Sequence, residues 1–310
     1  MSAAWIMESP AWATAAPRLS VLIPFLRDDP ADLLARLETE AAGLKGAVEV
    51  VLLDDGTGDA GLTARLEGRL SHSALPVRLI TLDGNEGRSI GRNRLASAAR
   101  GDWLLFLDSD MRPDGADFLH AWLAQTHGAT PVVFGGFSLD QAPDEARFAV
   151  HRALSGHAEC VAAAERARQP EKYVYTSNLL VRRDVFETEA FDPGFTGWGW
   201  EDVEWAMRVS RRFPVGHIDN PATHMGLDEV AALTAKYEQS APNFARVVAR
   251  HPDIVAAYPS YRLARVLKRA PGLSLVRPML KRAAATVWAP VRARALSLRL
   301  YRVALYADVV

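Results

Sequence analysis

The stretch Trp103-Leu104-Leu105-Phe106-Leu107-Asp108-Ser109-Asp110 decides the fold. Its first five residues are uniformly apolar, as in a short strand covered on both faces of a parallel sheet. Two carboxylates spaced i, i+2 end it. Side by side they repel each other and lose hydration unless a cation or hydrogen-bond donors meet them. In an open α/β sheet, ligands bind beyond the carboxyl ends of the strands. The expectation is a metal site at the rim of a mostly parallel sheet. The plainer alternative is a pair of solvated acids in the turn into Met111-Arg112-Pro113-Asp114-Gly115.

Working outward, apolar runs at 19–25, 48–53 and 77–82 alternate with amphipathic helical spacing over 32–44, 60–70 and 87–99. Strand and helix in this alternation mean βαβ units. Right-handed crossovers then bring the strand ends to one rim, collecting Asp54, Asp55, Asp108 and Asp110 near one crevice. Gly56-Thr57-Gly58-Asp59-Ala60-Gly61 imitates the G-x-G-x-x-G dinucleotide fingerprint. Against an NAD-dependent oxidoreductase, Asp54 and Asp55 stand where a pyrophosphate would approach, with no local cation to offset them.

After a helix over 119–125 and a strand over 131–134 the alternation loosens. A long helix is expected over 144–169 and a strand over 176–183. Then comes Phe191-Asp192-Pro193-Gly194-Phe195-Thr196-Gly197-Trp198-Gly199-Trp200-Glu201-Asp202. Its glycines forbid a regular element, and its tryptophans offer flat apolar faces of the kind that stack on a sugar ring. Glu201 and Asp202 fall at the start of a helix expected over 203–212, where the helix dipole alone favours acids. A strand over 215–218 precedes His224, which matters only if that strand returns to the rim of Asp108 and Asp110. A helix over 227–250 follows.

The 310-residue length, 49% hydrophobic, suits one large α/β domain with additions or two domains. A net charge of -1 conceals a tail from Arg262 that carries 11 Lys+Arg against one acid, Asp308. Cys160 stands alone, which excludes an internal disulfide and fits a reducing compartment. Residues 1–17 have no early Lys or Arg and do not read as a signal peptide. No apolar run nears the roughly 18 residues of a spanning helix.

These pieces, in order, resemble the family 2 glycosyltransferases of the GT-A fold, with a galactosyltransferase-like WGxED motif toward the C-terminus. The resemblance runs from 19 to about 226. It rests on the first strand with Pro24, on Asp54-Asp55-Gly56, and on Asn85-Glu86-Gly87 leading to Arg92-Asn93. It continues through Asp108-Ser109-Asp110, Phe191-Asp192, Gly197-Trp198-Gly199-Trp200-Glu201-Asp202 and His224.

What the resemblance implies is an inverting, metal-dependent transferase moving a sugar from a UDP-sugar to a hydroxyl of a saccharide or lipid-linked acceptor in polysaccharide or glycoconjugate synthesis. Pro24, Asp54, Asp55, Arg88, Arg92, Asp108 and Ser109 would line the nucleotide, with Asp54 or Asp55 accepting from the uracil imide. Asp110 and His224, with Asp108 sharing, would hold Mn²⁺ or Mg²⁺. Asp202 would be the general base, and Trp198, Trp200 and Glu201 would hold sugar. The expected organisation is an N-terminal extension (1–17), a nucleotide-sugar half (18–135), an acceptor and catalytic half (136–250) and a basic helical tail (251–310). A non-catalytic nucleotide- or carbohydrate-binding protein of the same fold is the alternative. Asp110, Asp202 and His224 are the residues such a protein would be expected to lose.

Prolines 271, 278 and 290 are expected to cut the tail into short helices. Its interleaved cations and apolar residues suit peripheral attachment to the inner face of a cell membrane, the protein otherwise being cytoplasmic. A hairpin packed on the acidic domain and a dimerisation element are the competing readings. Nucleic acid is not expected, since the cations come with too much aliphatic surface.

Overall fold

The computed structural model describes residues 2–44 and 46–310. In chain order the strands are β1 (Ala4–Glu8), β2 (Leu19–Phe25), β3 (Val48–Asp54), β4 (Val77–Leu82), β5 (Trp103–Leu107), β6 (Met111–Pro113), β7 (Val132–Phe134), β8 (Phe137–Ser138), β9 (Asn178–Arg182), β10 (Val215–His217) and β11 (Ala222–His224). The helices are α1 (Ala31–Ala41), α2 (Ala60–Leu70), α3 (Arg88–Ala98), α4 (Phe118–Gln125), α5 (Ala149–Ala158), α6 (Ala163–Arg166), α7 (Arg183–Thr188), α8 (Glu201–Val209), α9 (Val230–Arg250), α10 (Pro252–Val255), α11 (Pro259–Leu267), α12 (Leu273–Ala285) and α13 (Val291–Tyr306).

An eight-stranded sheet runs β1-β4-β3-β2-β5-β9-β7-β10. β4, β3, β2 and β5 are mutually parallel, while β9 runs antiparallel to β5 and β7. Every residue of β5 is buried. Leu105 and Leu107 face a core shared with α1, α2 and α4, and Leu104 and Phe106 face one shared with α3 and α8. Burial on both faces is why the strand carries no polar alternation. A small second sheet, β6-β11-β8, lies beyond the carboxyl end of β5.

The elements differ from expectation in several places, among them the short strands β6, β8 and β11. Ala4–Glu8 is an edge strand antiparallel to β4, with Trp5 paired to Thr81 and Ile6 to Ile80. The single helix expected over 144–169 breaks into a 3-10 turn, α5 and α6. The buried Arg166 donates to the Ile218 carbonyl at 2.6 Å and so draws α6 onto the chain after β10. α8 begins at Glu201 rather than 203. Pro278 lies inside α12 rather than ending it.

The tail packs. Leu298 and Tyr301 of α13 join Tyr237 of α9 and Leu154 of α5 in one buried cluster. A truncation inside β5 should be felt throughout the sheet: Phe106 lies 5.3 Å from Phe186 and 5.7 Å from Phe191. Phe106→Ala is expected to cost about 3–5 kcal/mol of stability, read as a lower urea midpoint with an unchanged slope.

Candidate active site

The rim at the carboxyl ends of β2, β3 and β5 gathers most of the singled-out residues. Pro24 is the penultimate residue of β2, opposite Leu53 of β3. Asp54 Oδ1 accepts from the Thr57 amide at 2.8 Å, and its Oδ2 makes no hydrogen bond among the described residues. Asp55 is fully used: its two oxygens accept the amides of Glu86 (2.8 Å) and Gly87 (3.1 Å), which fixes the turn into α3. Burial pushes its carboxyl up. Gly56 follows with φ +83, and a Cβ there would meet the Gly84 carbonyl carbon at 2.5 Å. Asp59 caps α2 through the amides of Gly61 and Leu62. The glycine fingerprint is thus a tight turn in which the Thr57, Gly61 and Leu62 amides are taken by Asp54 and Asp59, acids that would repel a pyrophosphate.

α3 begins on this rim. Arg92, buried, donates to Asp108 Oδ1 at 2.5 Å. Arg88 places Nη2 3.8 Å from Asp108 Oδ2 and donates Nε to Glu201 Oε1. One guanidinium therefore touches both the end of β5 and the start of α8. Asn93 exchanges two hydrogen bonds with the Phe191 backbone at 2.9 and 3.0 Å. Its role is to pin the glycine-tryptophan segment to α3.

His224 reaches Asp110 by strand register. β11 pairs antiparallel with β6, His224 opposite Met111, and the Met225 amide donates to the Asp110 carbonyl at 2.9 Å. His224 Nε2 then lies 3.2 Å from Asp110 Oδ2. Although burial disfavours both charges, the contact lowers the Asp110 carboxyl and raises the His224 imidazole. Asp108 points instead to Arg92 and Arg88. Ser109 is half-buried between the two acids. Among the described residues no three His, Cys, Asp or Glu side chains converge as a metal-holding group. The chain offers two adjacent donors, a carboxylate and an imidazole.

The start of α8 carries two acids of opposite character. Burial works against the Glu201 charge, but Arg88 and Arg92 outweigh it and hold its carboxyl below the usual range. Asp202 has no such partner. Burial and then the neighbouring Glu201 push its carboxyl up to about 7. The preceding loop is held by Asn243 of α9, whose Nδ2 donates to the carbonyls of Thr196 and Gly199, each at 2.9 Å. Trp200, at φ +77, donates its indole N–H to Tyr306 Oη at 2.9 Å and packs on Phe244. Its ring is spent on packing between α9 and α13. Trp198 is half-buried, 6.2 Å from the Tyr237 ring.

Four contributors were missed in the sequence. Asp28, in the loop after β2, has its carboxyl raised by burial and by Asp110. His151 of α5 packs its ring 5.6 Å from His224 and accepts the Asp228 amide at 2.6 Å. Lys236 of α9 pairs with Asp228 at 2.5 Å and lies 6.0 Å over Trp198. Asn243 is the fourth. All sit on loops and helix faces with no local signal. A shallow cavity of about 400 Å³ along α2, lined by Asp59, Thr63 and Glu67, lies apart from this rim.

Sheet order and rim together define a GT-A type glycosyltransferase fold. The chain belongs to glycosyl transferase family 2, whose profile matches residues 20–188. Glu201, Asp202 and His224 lie beyond that match. The mannosyltransferase PcManGT from Pyrobaculum calidifontis, solved with GDP-Man and Mn²⁺, superposes with a TM-score of 0.57 at 17% identity over 97% of this chain and 89% of that one. S. aureus TarS 1-349 superposes at 0.51 and 14% identity, over 94% and 90%. Its complex with UDP-GlcNAc superposes at 0.50 and 15% identity, with the same coverage. At these identities the likeness is one of fold. The succinoglycan biosynthesis protein ExoO of Rhizobium meliloti (strain 1021) is 42% identical over 87 residues, 27% of this chain and only 24% of that relative.

Two outcomes are expected. A Cβ at Gly226 would sit 2.1 Å from Asp110 Oδ2. Gly226→Ala should displace that carboxylate from His224 and so lower the imidazole pKa, as measured by NMR titration. Asp202 ionises above about pH 4 when unfolded but only near pH 7 when folded, so its cost to stability grows between those values and is constant above. Asp202→Asn should therefore melt higher than the parent at pH 8, and the gap should shrink by pH 4.5.

Proposed function

We propose that this protein is an inverting, metal-dependent glycosyltransferase that moves a sugar from a UDP-sugar to a hydroxyl of a saccharide or lipid-linked acceptor. One observation carries the reading. Arg88 joins the strand-end acid Asp108 to Glu201, so that Asp202, with its carboxyl near 7, shares a rim with the Asp110–His224 pair.

Each side chain then has a task. The free Oδ2 of Asp54 makes it the better acceptor for the uracil imide N–H, while Asp55 holds the Glu86–Gly87 turn. Pro24 and Ser109 shape the nucleotide wall. Asp108, fixed by Arg92, accepts from the ribose hydroxyls, and Arg88 faces the diphosphate. Asp110 and His224 fit Mn²⁺ or Mg²⁺, because a carboxylate and an imidazole 3.2 Å apart leave further coordination positions for phosphate oxygens. When bound, the cation offsets the charge that develops on the departing nucleoside diphosphate. Asp202 takes the proton of the acceptor hydroxyl as that oxygen attacks the anomeric carbon from the face opposite the nucleotide. Glu201 and Trp198 orient the sugars, Trp198 by stacking. The name of the ExoO relative supports a place in polysaccharide synthesis.

The donor reading is tested by thermal shift with UDP-sugars and GDP-Man, with and without Mn²⁺. Ligands that bind the native state raise its melting temperature, and UDP-sugars with Mn²⁺ should give the largest rise. No rise with any UDP compound would refute it. Transfer should increase as pH climbs through about 7 and then level off, because the base acts ionised. Asp202→Asn should cut turnover by a factor of about 10²–10⁴ while leaving the UDP shift intact.

A further inference from the structure

The tail combines two readings that composition left as alternatives. α13 is packed, and α12 lies along it with one face only. Leu273 and Leu280 join the clusters beneath, Ala284 is fully buried, and Arg277 donates to the Ala304 carbonyl at 2.7 Å. Their spacing is that of one helix face. On the other face Leu275 is 73% exposed, Met279 69% and Val276 43%, and in the turn that follows Val287 is 80% and Trp288 87% exposed. Among the described residues eleven large apolar side chains are exposed, and eight of them lie between Leu263 and Leu296. A concentration of that kind marks a contact surface.

The charges around it select the partner. Arg265, Arg269, Arg282 and Arg292 are exposed and have no carboxylate partner among the described residues. Arg282 falls one turn beyond Met279 on the same stripe. Arg277 and Lys281, by contrast, are engaged with Asp308 and Glu238. Unpaired guanidinia on the same tail as protruding Leu, Met and Trp, with Arg282 on their own stripe, match an anionic bilayer surface: phosphates meet the cations and the apolar side chains enter the headgroup boundary. Among the described residues no helix is long and apolar enough to cross a membrane, so the contact is from one side.

We infer that the outer face of α12 and the 286–289 turn form a docking surface for an anionic lipid bilayer. It would hold the active-site rim near a membrane-borne acceptor. The acceptor clause rests on the transferase reading; the docking itself does not.

The test is flotation of the full chain with vesicles of phosphatidylcholine alone or with about one-third phosphatidylglycerol. Two variants alter only exposed side chains, Leu275→Glu with Met279→Glu, and Trp288→Ser. The parent should float with the anionic vesicles and much less with the neutral ones. The double variant should lose about tenfold in the bound fraction. Unchanged melting temperature and UDP shift would show that the variants fold and that the donor site is intact. A parent that stays at the bottom of the gradient, or a double variant that floats equally, would overturn the inference. So would a variant-sensitive dimer in light scattering without flotation, which would make a second copy the occupant. Failure in any of these ways leaves the UDP result, and with it the transferase reading, standing.

Discussion

Negative charge crowded onto one rim is the constraint on which the site depends, and Arg88 is what makes the crowding tolerable. Asp108, Asp110, Glu201 and Asp202 come from segments nearly a hundred residues apart. Arg92 neutralises Asp108 from below, and Arg88 spans Asp108 and Glu201. A buried charge removed from its partner is strongly destabilising. Asp202 is buried beside Glu201, and burial first and that neighbouring charge second lift its carboxyl toward neutrality, against the pull of Arg88 and Arg92. The low carboxyl of Glu201 and the raised one of Asp202 are therefore two outcomes of one arrangement.

The same rim depends on distant packing. The loop before Glu201 contains Trp200 in a left-handed conformation, held by Tyr306 of α13 and by Phe244 of α9. Asn243 ties two carbonyls of that loop, and Asn93 anchors its beginning to α3. The C-terminal helices thus act as a brace for the start of α8. The basic tail has an inward structural face and an outward one that leaves Leu275, Met279 and Trp288 exposed.

How much was legible in the sequence follows from where the signal is local. β2, β3, β4 and β5 were visible because strands buried on both faces carry unbroken apolar runs. Their helices were visible through amphipathic spacing. Asp108 and Asp110 stand out because paired acids ending an apolar strand are costly without a purpose, whereas Asp202 stands out only through the glycine-tryptophan loop before it and the family resemblance. What failed was whatever a neighbour decided. The 144–169 helix breaks because Arg166 finds carbonyls on another segment. Trp200 looked like a sugar platform because nothing in its own loop reveals Tyr306. His151, Lys236 and Asp28 have no local pattern, and only packing brings them to the rim.

The central claim is that Asp110 and His224, brought together by the pairing of β6 with β11, act as one seat for a divalent cation that binds with the nucleotide. Calorimetric UDP affinity, with and without Mn²⁺, in the parent, Asp110→Ala, His224→Ala and the double variant tests it most directly. The account predicts a clear Mn²⁺ increment in the parent. Either single substitution should abolish most of it, and the double should lose little more, as expected of two ligands on one ion. No increment in the parent, or one that survives in the double variant, would contradict it.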